Sequence, residues 1–136
     1  MTRHIERQIL HLKELILHFG TMVEESISHS NISLFKQDLS LATKVIANDA
    51  EIDRMEVELE EECLKVLALY QPVAADLRFV VAVLKINNDL ERIGDLTSNI
   101  AKTVSQLAIT GPFELPQEIS VMARQAEEMV KKSLDA

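Results

Sequence analysis

The oxygen-bearing side chains of residues 87–101 are the group in this sequence with the clearest capacity for chemistry. On a helix, steps of three and four residues return to the same side, so four of these side chains share one stripe. They are Asn88, Glu91, Asp95 and Asn99. Carboxylate and amide oxygens are the ligands that hard cations prefer in proteins. The stripe therefore predicts a metal site in which Glu91 and Asp95 are assisted by Asn99.

A second acidic stripe precedes it in the chain and contains Asp49, Asp53, Glu56 and Glu60. If the two helices form an antiparallel hairpin folded about Pro72, residues equally far from the turn lie at the same height. Asp49 then lies level with Asp95, and Asp53 with Glu91. Such carboxylates can share a cation, and without one they repel each other by about 1 kcal/mol per pair at 4 Å even in bulk water. The hairpin adds Asp49 and Asp53 to the predicted ligands, although acidic stripes on long helices are most often solvated surfaces.

Long amphipathic helices must position these acids. Apolar residues recur at three- and four-residue steps in three stretches of the chain, which predicts three helices. The first covers residues 3–35 and the third covers residues 73–109. The second begins after an N-cap at Asp38 and ends at about residue 70. The third helix is expected to bury a seam of Ile86, Leu90, Ile93, Thr97, Ile100, Val104 and Leu107. The fold class is therefore all-α, an antiparallel three-helix bundle, with a core that includes Ile16, Phe19, Val45, Ile52, Leu59, Leu84, Ile93 and Ile100.

Three segments follow from this pattern. Residues 1–109 form the bundle, residues 110–116 form a linker with two prolines, and residues 117–136 form an additional C-terminal helix. That helix has an apolar stripe of Ile119, Met122, Ala126, Met129 and Val130. The stripe can fold back onto the bundle or pack against another chain, and we expect a homo-oligomer in which this helix pairs or exchanges between copies.

Composition limits the function classes. The 136 residues fit one domain, and a net charge of −8 with a pI near 5.0 argues against nucleic acid or an anionic membrane as a direct partner. No apolar run is long enough to span a membrane, and the N-terminus lacks a signal-peptide pattern. The single cysteine, Cys63, has apolar neighbours that indicate a packed thiol. Together these features predict a cytoplasmic protein.

Three separate segments resemble the PhoU family in order and spacing. They are residues 45–53, residues 69–79, and residues 90–101, within a similarity that extends over about residues 5–107. The resemblance implies two tandem three-helix repeats, each with a Glu/Asp-x-x-x-Asp metal motif on its third helix. Glu91 and Asp95 match that motif. The chain departs from the family pattern because it holds one repeat plus the first helix of the second, so a truncated protein or a fragment is expected.

The same resemblance implies a function. PhoU proteins are cytoplasmic, non-enzymatic regulators of phosphate uptake that are thought to link the ATPase of the phosphate ABC transporter to a sensor histidine kinase. In that role they hold the phosphate-starvation response off. Some members bind multinuclear iron or zinc clusters on their acidic surfaces, which makes iron or zinc the expected metal here.

Two alternatives remain at this point. One is a helical interaction module without metal function, in which the acids only maintain solubility. The other is a carboxylate-bridged metalloenzyme, although the sequence lacks the Glu-x-x-His pairs of di-iron bundles and any Ser/His/Asp or Gly-rich phosphate-binding arrangement.

Overall fold

The computed structural model describes residues 2–135 and contains four α-helices. These are α1 (Thr2–Lys36), α2 (Leu39–Tyr70), α3 (Ala74–Ile109) and α4 (Gln117–Asp135). The predicted all-α fold is confirmed. Residues 111–116, between α3 and α4, are not helical. Met1 and Ala136, the outer ends of the predicted segments, lie outside the described residues. That α4 begins a second repeat stays a prediction.

Short connections make the bundle antiparallel. The chain turns at Gln37 and again at Gln71, both with left-handed backbone angles, φ 52° and φ 43°. Asp38 caps α2, because its carboxylate accepts a hydrogen bond of 3.1 Å from the backbone N–H of Leu41. Helices α1, α2 and α3 pack against one another in all three pairs, whereas α4 packs against α1.

The core runs along the axis shared by α1, α2 and α3. Its largest fully buried side chains include Phe19, Leu12, Ile52, Leu59 and Val23. Of the predicted core residues, Ile16, Phe19, Val45, Ile52 and Leu59 are buried, whereas Leu84 and Ile93 are half-buried against the core and Ile100 is half-buried. Cys63 is fully buried, and desolvation raises the pKa of its thiol to about 11, as a packed thiol requires.

The buried face of α3 is rotated relative to the predicted seam. Its buried residues are Val80, Val83, Asn87, Leu90, Gly94, Thr97, Ser98, Ala101 and Val104, whereas Ile86 is 40% exposed. The reason is close packing against α2: a Cβ atom on Gly94 would lie 2.9 Å from Ile52 Cγ2. Small residues allow this approach, so the isoleucines of the predicted seam turn toward the side where α4 lies.

Helix α4 packs against α1 with no side chain fully buried, and its Val130 and Leu134 are half-buried against the core. Leu134 covers Gly20, where an added Cβ would lie 3.0 Å from the leucine methyl carbons. Near the other end, the side-chain amide of Asn31 donates a 2.6 Å hydrogen bond to Glu127. Among residues 2–135, no helix combines the length and apolar character that a transmembrane segment requires.

Candidate metal centre

The hairpin of α2 and α3 brings acids from both helices to one place. Carboxylate oxygens of Asp49, Asp53 and Asp95 all lie within 4.8 Å of one another. Two come from successive turns of α2 and one from α3, as expected for antiparallel helices joined by a short turn. We call Asp49, Asp53 and Asp95 the acidic cluster. No group of three His, Cys, Asp or Glu ligands other than this cluster is found within the described residues.

Glu91 lies beside the cluster. It shares a hydrogen bond with the carboxylate of Asp95, which raises the pKa of Glu91 to about 7, and desolvation and the charge of Asp95 act in the same direction. Below about pH 7, a protonated Glu91 would donate this hydrogen bond to Asp95. The predicted ligand Asn99 has an exposed side chain, and within residues 4–135 the structure gives no hydrogen bond between its amide and the cluster.

The electrostatic field of the cluster extends along α2. Desolvation raises the pKa of Asp49, and the charges of Asp53 and Asp95 raise it further. Desolvation also raises the pKa of Glu56, with Glu60 as the strongest charged contributor. Each of these shifts reports a carboxylate whose negative charge is disfavoured by its surroundings. A bound cation would remove that penalty.

Three buried polar atoms at this interface have no hydrogen-bond partner among the described residues: Asp49 Oδ1, Asn87 Oδ1 and Ser98 Oγ. Asn87 is held in place because its amide nitrogen donates a 2.9 Å hydrogen bond to the carbonyl oxygen of Glu56. Buried polar atoms are normally paired, so unpartnered oxygens near an acidic cluster fit a site that takes up a cation or its water. The residues present therefore suit a hard cation.

The chemistry of the cluster limits the choice of ion. All its ligand atoms are carboxylate oxygens, which suit magnesium, calcium, manganese and iron. Zinc is compatible with carboxylates but is more often held by imidazole or thiolate groups. Asp49, Asp53 and Asp95 would hold the ion, and Glu91 is placed to join them after it loses its proton.

Sequence reasoning missed three residues around this site. Glu56 lies in the acidic stripe of α2 but is not among the predicted ligands, and Ser98 lies outside both predicted stripes. Asn88 was placed on the ligand stripe, yet it is exposed, whereas its neighbour Asn87 is buried beside α2. The signal for Asn87 is its spacing, since it precedes Glu91 by four residues and thus lies on the same side of α3.

The raised pKa of Glu91 predicts how the cation-free protein responds to pH. The folded chain binds more protons than the unfolded chain between the ordinary glutamate pKa and about 7, so this contribution to stability is full below that window and is lost as pH rises through it. The stability of Glu91→Gln relative to the wild type should therefore be greater above about pH 7 than near pH 5.

Urea unfolding of chelator-treated protein at both pH values would measure this difference. Glu61→Gln, on the exposed outer surface of α2, is the matched control and should show no such dependence on pH. An equal effect of Glu91→Gln at both pH values would contradict the assignment.

Comparison with known proteins agrees with this architecture. The PhoU domain matches residues 16–104. The phosphate-specific transport system accessory protein PhoU homologue of Aquifex aeolicus is 38% identical over 128 residues, which cover 94% of this chain and 58% of the relative. The crystal structure of PhoU from Pseudomonas aeruginosa is similar with a TM-score of 0.92 at 33% identity, covering 96% of this chain and 63% of that one.

A second solved structure, the phosphate transport system regulatory protein PhoU from Streptococcus pneumoniae, is similar with a TM-score of 0.89 at 30% identity. The match covers 97% of this chain and 62% of that protein. The chain thus spans about three fifths of the length of these relatives. A domain match over most of the bundle, joined to the same helical architecture, shows that the chain belongs to the PhoU family.

Proposed function

We propose that this chain is a cation-binding regulatory module of phosphate transport. The observation that carries the proposal is the convergence of Asp49, Asp53 and Asp95 on facing helices. Membership of the PhoU family supplies the biological context, because relatives are named phosphate-specific transport system accessory proteins. Cation binding would relieve the repulsion within the cluster and tie α2 to α3, which stabilises the surface that the hairpin presents.

The proposed partners are those implied by the family. They are the ATPase of the phosphate ABC transporter and a sensor histidine kinase, with the chain acting in the cytoplasm as a negative regulator of the phosphate-starvation response. The role is non-enzymatic: the cation serves structure and recognition. Iron or zinc is the proposed metal, and the all-carboxylate cluster favours iron of the two.

Self-association is part of the same proposal. Helix α4 leaves Met122 and Met129 exposed by 65% and 69%. Apolar surface of this kind favours contact with another protein, and we propose that the chain forms a homo-oligomer through it.

The experiment that tests regulation uses a bacterial strain that lacks its own PhoU homologue and carries a reporter of the phosphate-starvation response. The 136-residue chain should lower the reporter signal in phosphate-rich medium, and its variant Asp53→Asn with Asp95→Asn should lower it less. Glu14→Gln with Glu61→Gln, two exposed acids outside the cluster, should act as the wild type does. A reporter signal unaffected by the chain would reject the regulatory role, and full activity of the cluster variant would reject the cation's part in it.

A further inference from the structure

An open polar groove of about 330 Å³ lies between α1 and α2. We call it the α1–α2 groove. Helix α4 contacts α1 through Gly20 and Asn31. Met22 and His29, which line the groove, each lie two residues from one of these contacts, which is about 200° of helical rotation. The groove is therefore on the side of α1 opposite to α4, and its exposure does not depend on what covers α4.

Acidic side chains line the walls of the groove at two heights. Glu25 of α1 lies about level with Glu51 of α2, because both are about equally far from the turn between the two helices. Glu58 follows two turns later, about 10.5 Å further along the axis of α2. Within residues 4–135 the structure gives one ion pair, Arg54 with Glu51, so Glu25 and Glu58 keep uncompensated charges toward opposite ends of the groove.

The floor between these ends is apolar and includes one hydrogen-bond acceptor. Ile52 and Met55 line it and are buried, and Ser26 lines it with only 6% of its surface exposed. The hydroxyl of Thr97 donates a 2.8 Å hydrogen bond to a backbone carbonyl one turn earlier in α3, so Ser26 is the donor in its 2.7 Å contact with Thr97. The proton of Ser26 is thus in use, and its oxygen is left to accept from a ligand.

We propose that the α1–α2 groove binds a linear aliphatic polyamine. The alkyl chain lies along the apolar floor, one terminal ammonium group pairs with Glu25 and the other with Glu58. Ammonium groups only donate hydrogen bonds, so they match carboxylates and the Ser26 oxygen, and bonds between charged groups are the stronger ones.

Other cations fit the groove less well. A basic side chain of a protein carries one positive group and would neutralise one end only. A metal ion needs converging ligands, and within the described residues no three His, Cys, Asp or Glu side chains converge in this groove. The separation of the two acids by an apolar floor therefore selects a ligand with a positive group at each end.

Spermidine is the probe, because its terminal ammonium groups can reach both ends of the groove, whereas those of the shorter putrescine cannot. Isothermal titration calorimetry of the 136-residue chain should show spermidine binding about tenfold more tightly than putrescine, since putrescine leaves one acid unpaired. A capped lysine amide, which presents the single ammonium group of a protein side chain, should bind no better than putrescine. Equal affinities for the three compounds would overturn the two-ended site.

Charge-neutral variants locate the ligand. Glu25→Gln with Glu58→Gln should weaken spermidine binding by about tenfold or more, because both terminal pairings are lost. Glu14→Gln with Glu61→Gln removes the same charge from exposed positions outside the groove and should keep the wild-type affinity. Circular dichroism would establish that each variant remains folded.

A third variant separates the groove from the acidic cluster. Asp53→Asn with Asp95→Asn should keep its affinity for spermidine, because these acids lie between α2 and α3. Loss of binding in this variant, together with full binding in Glu25→Gln with Glu58→Gln, would place the polyamine at the acidic cluster and overturn the proposal. A wild-type chain that binds no spermidine at millimolar concentration would overturn it as well. Neither result bears on the proposed metal, whose binding is measured by thermal unfolding of chelator-treated protein.

Discussion

Saturation with a suitable divalent cation is expected to raise the free energy of unfolding of this chain by about 2.7 kcal/mol when the free ion is at about 100 times its dissociation constant. For a chain of 136 residues, a change of that size raises the melting temperature by roughly 10 °C. The physical reason is that the proposed ion would be held by Asp49, Asp53 and Asp95, which converge in the folded hairpin. Thermal unfolding of chelator-treated protein, with and without added metal, measures the shift.

Neutralising two acids of the cluster should have opposite effects on the metal-bound and the metal-free protein. Asp53→Asn with Asp95→Asn should remove most of the metal-induced shift, and it should also raise the melting temperature of the metal-free protein, because two repelling charges are lost. Glu14→Gln with Glu61→Gln removes the same charge from exposed positions outside the cluster and should keep the full shift. An unchanged shift in the cluster variant would show that the ion binds elsewhere.

Comparison of ions separates the chemical alternatives. A carboxylate cluster should respond to manganese and ferrous iron, and it should respond to zinc less strongly than a site with imidazole or thiolate ligands would. A helical interaction module without metal function would show no stabilisation by any of these ions at concentrations that saturate specific sites.

Much of the fold could be predicted because long amphipathic helices have a clear periodicity of apolar residues in the sequence. The three-and-four rhythm of apolar residues predicted each helix, and Asp38 marked the start of α2 through its capping hydrogen bond. The turn expected at Pro72 then predicted the register of α2 against α3, and the structure places the left-handed turn residue next to it, at Gln71. That register places Asp49 and Asp53 beside Asp95, and in the structure their carboxylate oxygens lie within 4.8 Å of one another.

The exact rotation of α3 could not be predicted from apolar periodicity. Its face toward α2 contains Asn87, Gly94 and Ser98, and a hydrophobicity pattern assigns such residues to solvent. Close helix packing favours small side chains, so Gly94 meets Ile52 while larger isoleucines lie to one side. For the same reason the predicted site lacks Asn87 and Ser98. A hydrophobicity pattern does not identify a buried polar residue, because its burial depends on the neighbouring helices.

The surface against which α4 packs could not be predicted from the sequence, for a related reason. Its apolar stripe predicts that it needs a surface, but several surfaces of similar character satisfy that need. On one side of α4 the contact of Leu134 with Gly20 determines the position of the helix, because the glycine leaves room for the leucine side chain. The other side of α4 keeps Met122 and Met129 exposed, and they form the surface proposed for self-association.

The largest loss of stability is expected from Phe19→Ala. Phe19 is 0% exposed and is the largest fully buried side chain of α1, in the core shared with α2 and α3. Removal of a buried phenylalanine costs about 3–5 kcal/mol, since apolar contacts are lost and a cavity remains. Small domains have about 5–15 kcal/mol of stability in total, so the variant should unfold at much lower urea concentration.

Phe35→Ala is the matched control, because it makes the same change near the C-terminal end of the same helix, at a side chain that is 38% exposed. It should cost about 1 kcal/mol, in the range typical of single substitutions that leave no enclosed cavity. Urea unfolding followed by circular dichroism measures both variants. Equal losses for the two would mean that the α1 contacts around Phe19 do not form the centre of the core, and the packing of the bundle would have to be revised.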